Sequence, residues 1–170
     1  MAASNISFIF FAPLIAAPIA SDTGVTGCFV EPCGMSQIFV SYSRRDGEAV
    51  RRLVEAVEQD GHHVFSDEDV YGGQQRRETI VTAIRKADVF MVVLSPVSIA
   101  SHHVRSELDI AEGEKKPIVP VVIEQAAIPA KMVCQLAGLQ SIDLAPDARA
   151  GYRSVKEALR GAQTSFASRS

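Results

Sequence analysis

With 170 residues, 47% of them hydrophobic and 22% charged, the chain has enough material for one core of ordinary domain size. It lacks the compositional bias of a disordered or coiled-coil protein. A net charge of −3 supplies no basic field, so neither nucleic acid nor an anionic membrane is expected as a partner.

Three cysteines, Cys28, Cys33 and Cys134, fit neither a disulfide framework nor a zinc ribbon and point to a reducing, cytoplasmic compartment. Cys28 and Cys33 have the spacing of half a metal site, but no second pair of matching spacing follows, and no metal ligand is assigned. Residues 1–35 read as an N-terminal extension, poorly ordered or upstream of the true start, because Met35 stands directly before the first patterned segment. From Ile6 to Ala20 this extension is almost wholly apolar, yet Pro13 and Pro18 interrupt it and it falls short of the roughly 20 residues of a membrane helix. Secretion is the alternative if the segment is a genuine signal, although no Lys or Arg precedes Arg44 to form a cationic leader.

From Ser36 onward short apolar runs alternate with stretches of helical period, the pattern of βαβ units around a parallel sheet. The expected strands are Gln37–Ser41, His63–Ser66, Val89–Ser95, Ile118–Ile123 and Ser141–Leu144. The third and fourth are apolar on both faces and read as the interior of the sheet. Pro120 lies inside the fourth; a proline donates nothing to a ladder, so this strand is expected to pair incompletely on one side. Between the strands, Val50, Leu53, Val54 and Val57 recur at helical spacing, as do Ile80, Ala83, Ile84 and Ala87, then Val104, Leu108 and Ala111, and finally Val155, Ala158 and Leu159. Ile128–Gly138 is too short and mixed for an assignment, a single turn being one reading of it. The domain is expected over 36–163, with a small, polar, frayed tail over 164–170.

Ligands of such sheets bind beyond the carboxyl ends of the strands, which directs attention to Ser41-Tyr42-Ser43-Arg44, to Asp67 through Gly73, and to Ser95-Pro96 leading into Ser101-His102-His103. The string Ile38-Phe39-Val40-Ser41-Tyr42-Ser43-Arg44 resembles the opening strand of TIR (Toll/interleukin-receptor) domains. The loop from Asp67 to Gly73 looks like their second connecting loop. Ala87 through Pro96 is similar to their third strand, and Ser106-Glu107-Leu108 falls at the position of their catalytic glutamate. The resemblance covers nearly all of 36–144, and its strength lies in the ordered set rather than in any one motif. It implies an α/β, flavodoxin-like three-layer sandwich with a five-stranded parallel sheet of order 2-1-3-4-5. It also implies two ways of working: NAD⁺ glycohydrolase or cyclase activity, and homotypic TIR–TIR assembly. On that reading Glu107 is catalytic, and Ser41, Tyr42, Ser43, Arg44, Asp67, Tyr71, Gly73 and His103 bind substrate. Members of the family commonly carry tryptophan where this chain has His103. With no tryptophan present, stacking on a base falls to Tyr42, Tyr71 or an imidazole.

The chemistry asks little of the protein beyond one acid. Nicotinamide in NAD⁺ is already a cationic pyridinium and departs neutral, so no general acid is needed; the barrier is the ribosyl cation, which a sheltered carboxylate opposes. The apolar stripe of Val104, Leu108 and Ala111 leaves Glu107 about 60° from its centre, at the edge of the buried face. Partial burial is expected, with His103 one turn earlier on the same side. The diphosphate is expected on backbone N–H groups after the first strand with Arg44 as cationic partner. The acidic trio Asp67–Asp69 is read as solvated rather than as a divalent-ion site, and Arg51-Arg52 and Arg76-Arg77 as solvated faces. NAD⁺ is thus substrate rather than cofactor, with other TIR domains and a separate sensor or effector protein as partners. The alternative is a non-catalytic TIR interaction module that acts as a signalling adaptor.

Overall fold

The computed structural model describes residues 35–66 and 73–167, with side chains over 35–66 and 77–162. The segment before Met35 and the loop holding Asp67 and Tyr71 lie outside the described residues. Five strands form one parallel sheet: β1 (Gln37–Ser41), β2 (His63–Ser66), β3 (Val89–Leu94), β4 (Ile118–Val122) and β5 (Ile142–Asp143), in the order β2-β1-β3-β4-β5. The helices are α1 (Gly47–Glu58), α2 (Gly73–Lys86), α3 (Pro96–Ala100), α4 (His102–Gly113), α5 (Ala130–Leu136) and α6 (Ala148–Ala167). No helix among the described residues is long and apolar enough to cross a membrane.

The layers follow from the two-residue period of the strands. Ile38, Val40, Val89, Met91, Val93, Val119 and Val121 face one way, onto Val50, Leu53 and Val57 of α1 and Val155 and Leu159 of α6. Phe39, Phe90, Val92 and Leu94 face the other way, onto Ile80 and Ile84 of α2, Val104, Leu108 and Ala111 of α4, and Met132 of α5. Phe39 and Phe90 stack with ring centroids 5.7 Å apart, joining β1 to β3 on that second face. Each such side chain contributes about 1.5–3 kcal/mol on burial, so the two half-cores fix the sandwich.

Several elements differ from expectation for local reasons. β1 is as interior as β3 and β4, since it lies between β2 and β3, and residues 38–41 are all buried. β3 ends at Leu94 because Ser95 caps α3, its Oγ accepting from the Ser98 N–H, and Pro96 opens that helix. Ile128–Gly138 holds more than a turn: α5 packs the fully buried Met132 into the core. The final helix continues to Ala167, into the segment expected as a polar tail.

Pro120 behaves as its chemistry requires. Alternate residues of a parallel strand address alternate neighbours. Pro117 O accepts from Phe90 N, and Ile123 N donates to Leu94 O, so the odd positions of β4 address β3. The nitrogen of Pro120 therefore faces β5, and there pairing is confined to Val121 with Ile142 and Val122 with Asp143.

Candidate active site

Strand alternation decides what the end of β1 presents. Phe39 and Ser41 lie on the face covered by α2 and α4, whereas Tyr42 falls on the opposite face and packs with the core under α1 and α6. Ser41 is fully buried, and its Oγ donates to Glu107 Oε2 at 2.6 Å. That length suits a hydroxyl bound to a carboxylate. Glu107 comes to this point because α4 buries Val104, Leu108 and Ala111 and carries it on the flank of the same stripe. At 4% exposure it sits deeper than the partial burial expected from the helix phase alone.

α2 and α4 run side by side across this face. They are pinned where they end: Arg85 Nε lies 2.7 Å from Glu114 Oε1, and Lys116 Nζ donates to the carbonyls of Arg85 and Ala87 at 2.6 and 2.7 Å. Nearer their N-termini they part, leaving a cleft of about 480 Å³. Glu107, His103, His102, Arg77, Ile80 and Ile110 are among its walls. The His102 and His103 rings meet edge to face, 6.4 Å between centroids, and His102 Nδ1 is 3.3 Å from Ser106 Oγ. Asp109, also at the cleft, is turned toward α5: Lys131 Nζ and Gln135 Nε2 bond its carboxylate at 2.7 and 2.8 Å. The hydrogen bond from Lys131, foremost, holds the Asp109 carboxyl below the usual range.

A second polar cluster ties the loop after β1 to the end of β3. Asp46 Oδ2 accepts from Ser95 Oγ at 2.7 Å and from Ser98 Oγ at 2.6 Å, and Ser43 N donates to Ser98 Oγ at 3.2 Å. Ser95 and Ser98 are fully buried, so two hydroxyls that would otherwise be stranded are satisfied by one carboxylate.

The structure thus brings together Glu107, Ser41 and His103, and places Tyr42, Ser43 and Arg44 elsewhere. Tyr42 is on the far face of the sheet. Ser43 serves the Asp46 cluster through its backbone, and Arg44 is exposed in the short 3-10 turn Arg44–Asp46. Gly73 is the first residue of α2, and Asp67 and Tyr71 belong to the loop outside the described residues. Two features escaped the sequence reading. Arg77 is exposed, as a solvated face requires, but it also lines the cleft, and its spacing to Ile80 and Val81, three and four residues on, places it beside the apolar edge of α2. Asp46 had a weaker signal, an acid directly before a helix start.

No curated protein sequence matches this chain. Among solved structures, the TIR domain of the Toll-related receptor TRR-2 from Hydra magnipapillata superposes with a TM-score of 0.61 at 22% identity, covering 74% of this chain and 97% of that one. The TIR domains of the activated Roq1 resistosome, which recognises the pathogen effector XopQ, give 0.59 at 17% identity over 73% and 99%. A CMP N-glycosidase from Clostridium botulinum gives 0.53 at 15% identity over 71% and 98%. These likenesses establish a shared fold. The family model described as TIR domain matches residues 38–157, well over half of the sequence, and the chain belongs to the TIR domain family.

Proposed function

We propose that this TIR domain cleaves the nicotinamide–ribose bond of NAD⁺, as a glycohydrolase or cyclase switched on by TIR–TIR self-assembly in a signalling or defence role. The observation that carries the reading is Glu107: a carboxylate with 4% exposure, fixed by Ser41 Oγ at 2.6 Å, at the wall of a cleft of about 480 Å³. In the reaction the bond between C1′ and the pyridinium nitrogen breaks, its electron pair leaves with neutral nicotinamide, and C1′ becomes cationic. Glu107 meets that charge in surroundings where water screens it poorly. Water then adds to C1′ and sheds a proton, giving ADP-ribose, or an adenine nitrogen closes the ring. Ser41 holds the carboxylate in place, so no reorganisation is needed as charge develops. The fold is compatible with such chemistry, being shared with a CMP N-glycosidase. Self-assembly is drawn from family membership and from the TIR domains found in an activated resistosome.

The test is to incubate concentrated protein with NAD⁺, follow assembly by light scattering, and quantify nicotinamide with ADP-ribose or its cyclic isomer. Turnover is expected on assembly, and E107Q is expected to lose about 3–4 kcal/mol of transition-state stabilisation, several hundredfold in rate. Demonstrated assembly without turnover would reject the enzyme and leave the signalling adaptor.

A further inference from the structure

We infer that Arg77, which lines the Glu107 cleft together with His102 and His103, is its phosphate-binding subsite, so that this site takes a phosphorylated nicotinamide ribonucleotide and reads its 5′-phosphate. The inference rests on the proposed reaction and names where the substrate's negative charge goes, a role that the loop residue Arg44 was expected to fill. Arg44 is not among the residues lining the cleft, and Arg77 is.

Three observations converge. First, charge is sorted within the cleft. One oxygen of the Glu107 carboxylate is bonded by Ser41, and the Asp109 carboxylate is turned to Lys131 and Gln135, whereas Arg77 is an exposed guanidinium at the same opening. Second, the hydrogen-bonding chemistry is suited to phosphate. Guanidinium supplies a planar fork of N–H donors, and an imidazole supplies at least one ring N–H in either protonation state. Third, the spacing fits. Glu107 lies four residues beyond His103 on one face of α4, about one helical turn of 5.4 Å, a step comparable with that from the anomeric carbon of a ribose to its own 5′-phosphate. With C1′ of the nicotinamide ribose at Glu107, the phosphate on that same ribose arrives at His103 and, across the gap, at Arg77.

The experiment compares wild type, R77A, R77K and R44A, with R51A on the solvent face of α1 as control. Substrates are NAD⁺, nicotinamide mononucleotide and nicotinamide riboside, the last lacking phosphate. R77A is expected to raise KM for the first two about tenfold or more, as loss of a charge-assisted bond predicts, with a smaller change in kcat and no change for the riboside. R77K should recover part of the loss through charge alone. Equal losses on all three substrates, or a larger effect of R44A than of R77A on the phosphorylated pair, would overturn the inference. Binding of ADP-ribose, titrated calorimetrically, separates this outcome from failure of the proposed reaction. If wild type shows no turnover yet binds ADP-ribose about tenfold more tightly than R77A, the subsite stands and the glycohydrolase reading falls. If wild type does not bind it, or R77A binds it equally well, the subsite falls.

Discussion

The bond between Ser41 and Glu107 is open to a quantitative test by a double-mutant cycle of S41A and E107Q. Both groups are enclosed, at 0% and 4% exposure, so water restores little of what a deletion removes. In the wild-type background S41A takes an O–H donor at 2.6 Å from a carboxylate, which costs about 1.5–3 kcal/mol for a bond to a charged group. In the E107Q background the same hydroxyl bonds a neutral amide, and S41A should cost only about 0.5–1.5 kcal/mol. The coupling energy is therefore about 1–1.5 kcal/mol, large enough to resolve by urea denaturation with a common m-value. A domain of this size shifts by about 3–5 °C per kcal/mol, so S41A alone should lower Tm by about 5–15 °C. E107Q keeps the volume and a partner for Ser41 while removing an enclosed charge, and it should melt within a few degrees of wild type although turnover is lost. Equal costs of S41A in both backgrounds would refute the claim that the hydroxyl serves a carboxylate.

Asp46, half-buried, should matter to stability through the two hydroxyls it accepts. D46A strands the hydroxyls of Ser95 and Ser98 and should cost about 2–4 kcal/mol in denaturant unfolding, with D46N retaining part of it; a loss below about 0.5 kcal/mol would deny the cluster its structural role. His62 is buried at the start of β2, and burial, foremost, lowers its pKa from 6.5, with Arg160 and Lys156 acting the same way and Asp60 opposing. The unfolded chain therefore takes up the proton first, so stability rises with pH across the window between the lowered native value and 6.5, and is lost as pH falls through it. In H62Q that part of the slope in unfolding free energy should vanish, and an unchanged slope would assign it to other groups. Gly151 has no room for a methyl group: an added Cβ would meet Leu144 Cδ2 and lie 3.1 Å from the Asp143 carbonyl oxygen, so G151A should cost about 1–3 kcal/mol by melting.

What could be read from the sequence was what repeats along it. Alternation and helical phase located the strands, the stripe of α4 and the candidate acid, because each depends on residues only a few places apart. The depth of Glu107 was not legible, since it is set by Ser41, 66 positions away, through the way α4 lies across β1. The place of Arg77 at the cleft was hidden for a related reason: the phase of α2 reveals an apolar edge, but not that a cleft shared with α4 opens beside it. Tyr42 shows the converse. Its neighbour Ser41 reaches the Glu107 carboxylate, and the strand's own period sends the next residue through to the opposite core. Motif adjacency suggested one site where alternation makes two.

Two rods joined near one end work as tongs. From Arg85, at the joint, to Arg77, at the jaw, is eight residues, about 12 Å along the axis of α2. A swing of only 5° about the Arg85–Glu114 pin would move the jaw by about 1 Å, which separates a bonded phosphate from an unbonded one. A neighbouring molecule that tilted α2 by that much would change the spacing between Arg77 and the imidazoles that line the same cleft.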